Sequence, residues 1–186
     1  MEIYLVRHTG VAVPKSVCYG QSDVPLAQTF EVEAEQVISK VILSDQPVVY
    51  SSPATRCVHL ARHFSADYLI DNRLQELNFG TWENTPWEAI PAGELDVWMN
   101  DFVGISPPEG ENFLSLHQRT GTFWQQITQS VHSQLVIITH AGVIRSLLCR
   151  CLGIPLVNAF RIQIDYGSVT HIRLAGGIPT VLKMNI

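Results

Sequence analysis

Positive charge is scarce in this sequence. Lysine and arginine number 12 against 17 aspartates and glutamates in 186 residues, for a net charge of -5. This argues against a broad basic surface for nucleic acid, so an anionic ligand must be met by a local cluster of cations. Long apolar runs are missing too. None approaches the roughly 18 residues that a membrane span requires, and no membrane partner is expected. The opening Met1-Glu2-Ile3-Tyr4-Leu5-Val6 lacks the basic segment of a signal peptide. Cysteine is sparse. Cys18, Cys57, Cys149 and Cys151 fit neither a zinc ribbon nor a redox Cys-x-x-Cys, and read as reduced, mostly buried thiols of a cytoplasmic protein. His59 and His63 are one helical turn apart, but position 60 is Leu60 and no third ligand stands out. No metal is expected.

What is present is ordinary globular material, 46% hydrophobic and 16% charged, without repeats or linkers. A single domain over 1–186 is expected. Residues 2–6 read as a buried strand ending at Arg7-His8, and 8–25 as a long loop. Apolar residues from Leu26 to Ile42 recur at helical spacing, which predicts a helix over 26–43. Residues 47–51 predict a strand, and Pro53 opens a helix running to about 65. A third strand is expected near 67–71, and a long helix over about 112–131. Leu135-Val136-Ile137-Ile138-Thr139 is the clearest buried strand, followed by a helix over 141–152 with Gly153 as its cap. The segment 80–110, rich in Trp, Pro and Gly, predicts short helices forming a cover over one end of the sheet. The tail, about 159–185, predicts antiparallel strands. Together these predict an α/β fold: a three-layer α/β/α sandwich with a mostly parallel sheet and antiparallel edge strands.

Ligands of such sheets sit beyond the carboxyl ends of the strands. Those ends deliver Arg7 and His8, then Ser51-Ser52 with Arg56 soon after, then His140 followed by Ala141-Gly142 at a helix start. Guanidinium forks bind phosphate oxygens. Helix-start amides at 141 and 142 suit an anion, and an imidazole can attack phosphorus. Positioning and fixed charge do most of the work in phosphoryl transfer, so no cofactor is expected. Glu76 is the candidate proton donor for the leaving oxygen, with Glu83 as a rival. Among the tryptophans, Trp82 is the candidate for stacking on a substrate ring.

Leu5-Val6-Arg7-His8-Thr9, Gly20-Gln21-Ser22-Asp23-Val24-Pro25-Leu26, Ser51-Ser52-Pro53-Ala54-Thr55-Arg56, Glu76 with Phe79-Gly80-Thr81-Trp82-Glu83, Pro107-Pro108-Glu109-Gly110-Glu111, and Thr139-His140-Ala141-Gly142-Val143-Ile144-Arg145 occur in that order. The series resembles the motifs of the histidine phosphatase superfamily, also called phosphoglycerate-mutase-like. The short chain and the Phe-Gly-x-Trp-Glu form are most similar to α-ribazole phosphatases. The resemblance implies His8, Glu76, His140, Arg7 and Arg56 as catalytic. It further implies Arg7, Arg56, His140, Ala141, Gly20, Gln21 and Trp82 as substrate contacts, and, in a monomer or homodimer, a small-molecule phosphate monoester of cobalamin nucleotide-loop assembly as substrate, either α-ribazole 5′-phosphate or cobalamin carrying that phosphate. A protein phosphatase, a broad-specificity small-molecule phosphatase, a phosphoglycerate mutase and a non-catalytic phosphate-binding module are the alternatives. Thr9 and Glu109 stand where relatives carry glycine. Val11 and Pro14 stand where relatives often carry a hydroxyl residue and an asparagine.

Overall fold

A computed structural model describes residues 1–44 and 47–186. Its centre is a six-stranded sheet in the order β3-β2-β4-β1-β5-β6. The strands are β1 (Glu2–Arg7), β2 (Val48–Ser51), β3 (Tyr68–Ile70), β4 (Gln134–Thr139), β5 (Val169–Ala175) and β6 (Ile178–Lys183). β1, β4, β2 and β3 run parallel, and β5 and β6 add antiparallel pairs at one edge. The helices are α1 (Phe30–Ser39), α2 (Thr55–Phe64), α3 (Ala92–Asn100), α4 (Phe113–Thr128) and α5 (Ala141–Leu152).

The period of two along the central strands builds two cores. Ile3, Leu5, Leu135 and Ile137 face α4 and α5, where Phe113, Phe123, Ile144 and Leu147 meet them. Tyr4, Val6, Val136 and Ile138 point the other way, toward Phe30 and Val37 of α1 and Leu60 of α2. Every residue of β4 is buried, which is why that segment reads as an uninterrupted apolar run. The three-layer α/β/α sandwich expected from the sequence is the observed architecture.

Helix ends differ from expectation for local reasons. α1 starts at Phe30, not residue 26, because Leu26 pairs with Val11 in a β-bridge and the Ala27 amide donates to the Gly10 carbonyl at 3.2 Å. It ends at Ser39 because the chain turns toward β4, where Gln134 Nε2 donates to the Ile42 carbonyl at 2.8 Å. α5 ends as expected. Gly153 takes the left-handed conformation at φ 65, and the Ile154 amide reaches the Cys149 carbonyl.

The tail departs most. Only 169–183 forms the antiparallel pair; residues 156–161 make a 3₁₀ turn, and 162–168 return to the parallel strand ends. Between Gly80 and Asn100 the chain makes two 3₁₀ turns and α3. Gly80, at φ 55, lies against the backbone of 108–110, where a Cβ would come within 2.0 Å of the Pro108 carbonyl. Glu109 holds φ 58, left-handed backbone that favours glycine.

Candidate active site

The strands β2, β4 and β1 lie side by side and parallel, so their carboxyl ends open onto one place. Backbone pairing continues one residue past two of them. The His8 amide donates to the Thr139 carbonyl at 3.0 Å, and the Ser52 amide to the Ile138 carbonyl at 2.9 Å. These bonds set His8 and Ser52 on either side of His140. A cavity of about 380 Å³ opens there, and Arg7, His8, Arg56, Glu76, His140 and Ala141 all line it.

The ring of His8 is buried, 5.2 Å from that of His140. Its Nδ1 lies 2.8 Å from the Thr9 carbonyl. A carbonyl only accepts, so Nδ1 carries the proton and Nε2 keeps a free lone pair. Burial, then Arg56 and Arg7, hold the imidazole well below its ordinary range. His8 is therefore a neutral imidazole with an unprotonated Nε2 in a cationic pocket.

Arg56 is fully buried in the first turn of α2. Asp23 caps that helix from the neighbouring loop, accepting from the Thr55 amide at 3.0 Å and its hydroxyl at 2.8 Å. The guanidinium donates to the carbonyls of Ser22 and Gly20 and reaches His140 Nδ1 at 3.4 Å. Because a guanidinium only donates, His140 accepts at Nδ1 and gives its Nε2 proton to Ser52 Oγ at 2.8 Å. Burial, then Arg56 and His8, push His140 well below its usual range too. Arg7 donates to the Ile164 carbonyl at 2.6 Å. Both arginines keep a buried Nε–H without a partner among the described residues.

Two imidazoles buried neutral are a pH liability. Below the ordinary histidine value of 6.5, the unfolded chain takes up protons that the folded chain refuses. Stability is thus complete above about 6.5 and falls as the pH drops further. The urea midpoint should decline from pH 7.5 to 5.5, and replacing both His8 and His140 by Gln should flatten that decline.

Glu76 sits on a loop held from three sides. Thr139 Oγ1 donates to the Leu74 carbonyl at 2.7 Å, Gln21 Nε2 to the Glu76 carbonyl at 3.1 Å, and Arg119 to the carbonyls of Arg73, Gln75 and Glu76. The carboxylate accepts from the amides of Leu77 at 2.9 Å and Gly142 at 3.1 Å. The Gly142 amide, expected to meet an anionic ligand, is thus engaged by Glu76. A Cβ at Gly142 would lie 2.3 Å from Glu76 Oε1, so only glycine lets the carboxylate approach.

Gly20, Gln21 and Trp82 lie outside the cavity lining. Gly20 and Gln21 stand behind it, gripping Arg56 and the Glu76 loop, and a Cβ at Gly20 would strike the Leu77 carbonyl at 2.0 Å. Trp82 is buried edge-on to Trp98 with its indole N–H toward Glu94. Trp87 lines the cavity instead, with Phe79 and Phe160. Glu83 spends both oxygens on the amides of Gln21, Ser22 and Phe79 and the Ser22 hydroxyl. It is a clasp for the loop and does not line the cavity. His59 and His63 pack on Phe30. Among the described residues no three His, Cys, Asp or Glu side chains gather as a metal site would, and no helix is long and apolar enough to cross a membrane.

Sequence reasoning missed Tyr19, Tyr166, Arg145 and Lys15, which also line the cavity, and Arg119, paired with Glu111 behind Glu76. Arg145 alone carried a signal, one turn past Ala141 on the helix whose start meets the site. Tyr166 is brought in by the returning tail, which periodicity cannot show.

Two arginines, two neutral imidazoles and a carboxylate line one cavity at the parallel strand ends, a set of groups able to hold a tetrahedral anion and to supply a nucleophilic nitrogen and a proton carrier. Residues 3–186 match the model of the histidine phosphatase superfamily (branch 1), and the chain belongs to that superfamily. It is a phosphoric monoester hydrolase. It is 25% identical to the adenosylcobalamin/α-ribazole phosphatase of Escherichia coli strain K12, over 100% of this chain and 96% of that one. It is 22% identical to phosphoserine phosphatase 1 of Hydrogenobacter thermophilus, over 100% and 92%. The crystal structure of the α-ribazole phosphatase from Shigella flexneri superposes with a TM-score of 0.91 at 24% identity, over 100% and 96%.

Proposed function

We propose that the chain hydrolyses a phosphomonoester through a phosphohistidine on His8, and that its substrate is α-ribazole 5′-phosphate. The observation that carries the mechanism is the unprotonated Nε2 of His8, held beside Arg7, Arg56 and His140 in one cavity. Nε2 attacks phosphorus, the ester P–O bond breaks, and Glu76 gives its proton to the leaving oxygen. Arg7 and Arg56 turn their forks to the phosphoryl oxygens, beside His140. Water then loses a proton to Glu76 and attacks phosphorus. The P–N bond breaks, releasing orthophosphate and neutral His8.

The substrate reading is supported by the names of the relatives and by the cavity's aromatic wall. Phe79, Trp87 and Phe160 suit a flat heteroaromatic base beyond the phosphate. A carboxylated phosphomonoester such as phosphoserine is the second reading. Arg145 favours it: its Nε is held by the Ile162 carbonyl, and its guanidinium has no carboxylate partner among the described residues. Phosphate release should be measured with α-ribazole 5′-phosphate, phosphoserine, 3-phosphoglycerate and p-nitrophenyl phosphate. The expected result is a kcat/KM for α-ribazole 5′-phosphate at least about tenfold above the others, within the range that pocket contacts discriminate. Preference for phosphoserine would transfer the assignment to the second reading.

A further inference from the structure

Tyr19 and Tyr166 come from segments 147 positions apart and meet hydroxyl to hydroxyl at the cavity wall. Each ring backs one arginine of the site. Arg7 Cζ lies 3.7 Å from the Tyr166 ring centroid, and Arg56 Cζ 5.3 Å from that of Tyr19. The Tyr166 ring is also 5.4 Å from the ring of His8. Tyr166 reaches this place because Gly167 turns at φ 62 and its amide donates to the His8 carbonyl at 3.0 Å. The 8–25 loop enters the cavity at Lys15, Val17 and Tyr19, whereas Val11 pairs with Leu26 and Pro14 is exposed.

In a hydroxyl–hydroxyl bond one phenol donates and the other accepts. The accepting phenol keeps its own proton for a third partner. Neither hydroxyl has another hydrogen bond among the described residues. We propose that Tyr19 and Tyr166 act as one unit in phosphoryl binding: their rings hold Arg7 and Arg56 from behind, and the spare phenolic proton is donated to a phosphoryl oxygen. The proposal rests on the phosphomonoesterase reading of the cavity. A neutral donor suits this place, because it adds a contact without adding to the positive charge that already crowds His8 and His140. Burial, then the bond to Tyr166, raise the Tyr19 phenol, so it keeps its proton at neutral pH.

The test compares the wild-type chain with Tyr19→Phe, Tyr166→Phe and the double variant. Phenylalanine keeps each ring against its arginine and removes only the hydroxyl. Binding of inorganic orthophosphate is read by calorimetry, turnover by phosphate release, and folding by melting temperature. Each single change should weaken orthophosphate binding and lower kcat/KM by about tenfold, the scale of one hydrogen bond to a charged group. The double variant should fall far short of the product of the two losses, because either change breaks the unit. Melting temperatures should stay close to wild type. Orthophosphate affinity unchanged in both single variants overturns the proposal, as do losses that multiply in the double variant. So does a fall in melting temperature that accounts for the whole effect. A wild-type chain that binds orthophosphate yet hydrolyses none of the esters would sink the enzymatic reading while leaving the pair's role in anion binding open to this same measurement.

Discussion

Replacing His8 by Ala is expected to lower phosphatase turnover by at least about ten-thousandfold, the scale on which removal of a nucleophile acts. The reason is electronic as well as positional. The proton on Nδ1 is committed to the Thr9 carbonyl, and Nε2 is kept free by burial and by two guanidinium neighbours that oppose a second proton. No other side chain lining the cavity offers an unprotonated nitrogen so placed. His140 is turned the other way, spending its Nε2 proton on Ser52 and receiving Arg56 at Nδ1. Wild-type protein quenched during turnover of a phosphorus-labelled substrate should carry an acid-labile, base-stable label, and His8→Ala should carry none. The variant should still bind orthophosphate, since Arg7 and Arg56 remain. Near-normal turnover without His8, or an unchanged label, would defeat the phosphohistidine route.

Much of this arrangement is legible in the chain because it sits at strand ends. A strand buried on both faces, such as 134–139, announces itself by an unbroken apolar run. The residue that follows it is carried to the sheet's carboxyl edge whatever else the fold does. His8, His140 and, through the short turn into α2, Arg56 inherit their places from this rule. Other features depend on approaches between distant segments. Tyr166-Gly167 reads as a turn in the sequence, but where that turn returns the tail is fixed by one bond between distant segments, from the Gly167 amide to the His8 carbonyl. Whether Trp82 or Trp87 faces a ligand is decided by two 3₁₀ turns that rotate one indole into the core and leave the other at the cavity. The double duty of Gly142, whose amide binds Glu76 while its missing Cβ makes room, shows only once two loops are in contact. An apolar stripe can outrun its helix: Ile42 continues the α1 pattern yet is largely exposed past the helix end.

Glu76→Gln is expected to separate substrates by their leaving groups. Glutamine keeps the size and one carbonyl acceptor, so the bonds from the Leu77 and Gly142 amides can persist in part and the loop stays in place. What is lost is a proton that can be given and taken back. An alkyl ester such as α-ribazole 5′-phosphate expels a strongly basic alkoxide and needs that proton as the P–O bond breaks. Its turnover should fall by about a hundred- to ten-thousandfold, the usual worth of a positioned general acid. p-Nitrophenyl phosphate expels a weakly basic phenolate and needs little help in that step. Its initial burst of nitrophenolate should survive in the variant while the steady state slows, because the second step still needs a base for water. Gly142→Ala offers a second route to the same outcome. Its methyl would press the carboxylate from 2.3 Å and displace it without changing its chemistry, so it should slow the alkyl ester more than the burst. Equal losses for both esters in both variants would remove Glu76 from proton transfer and assign it to holding the start of α5.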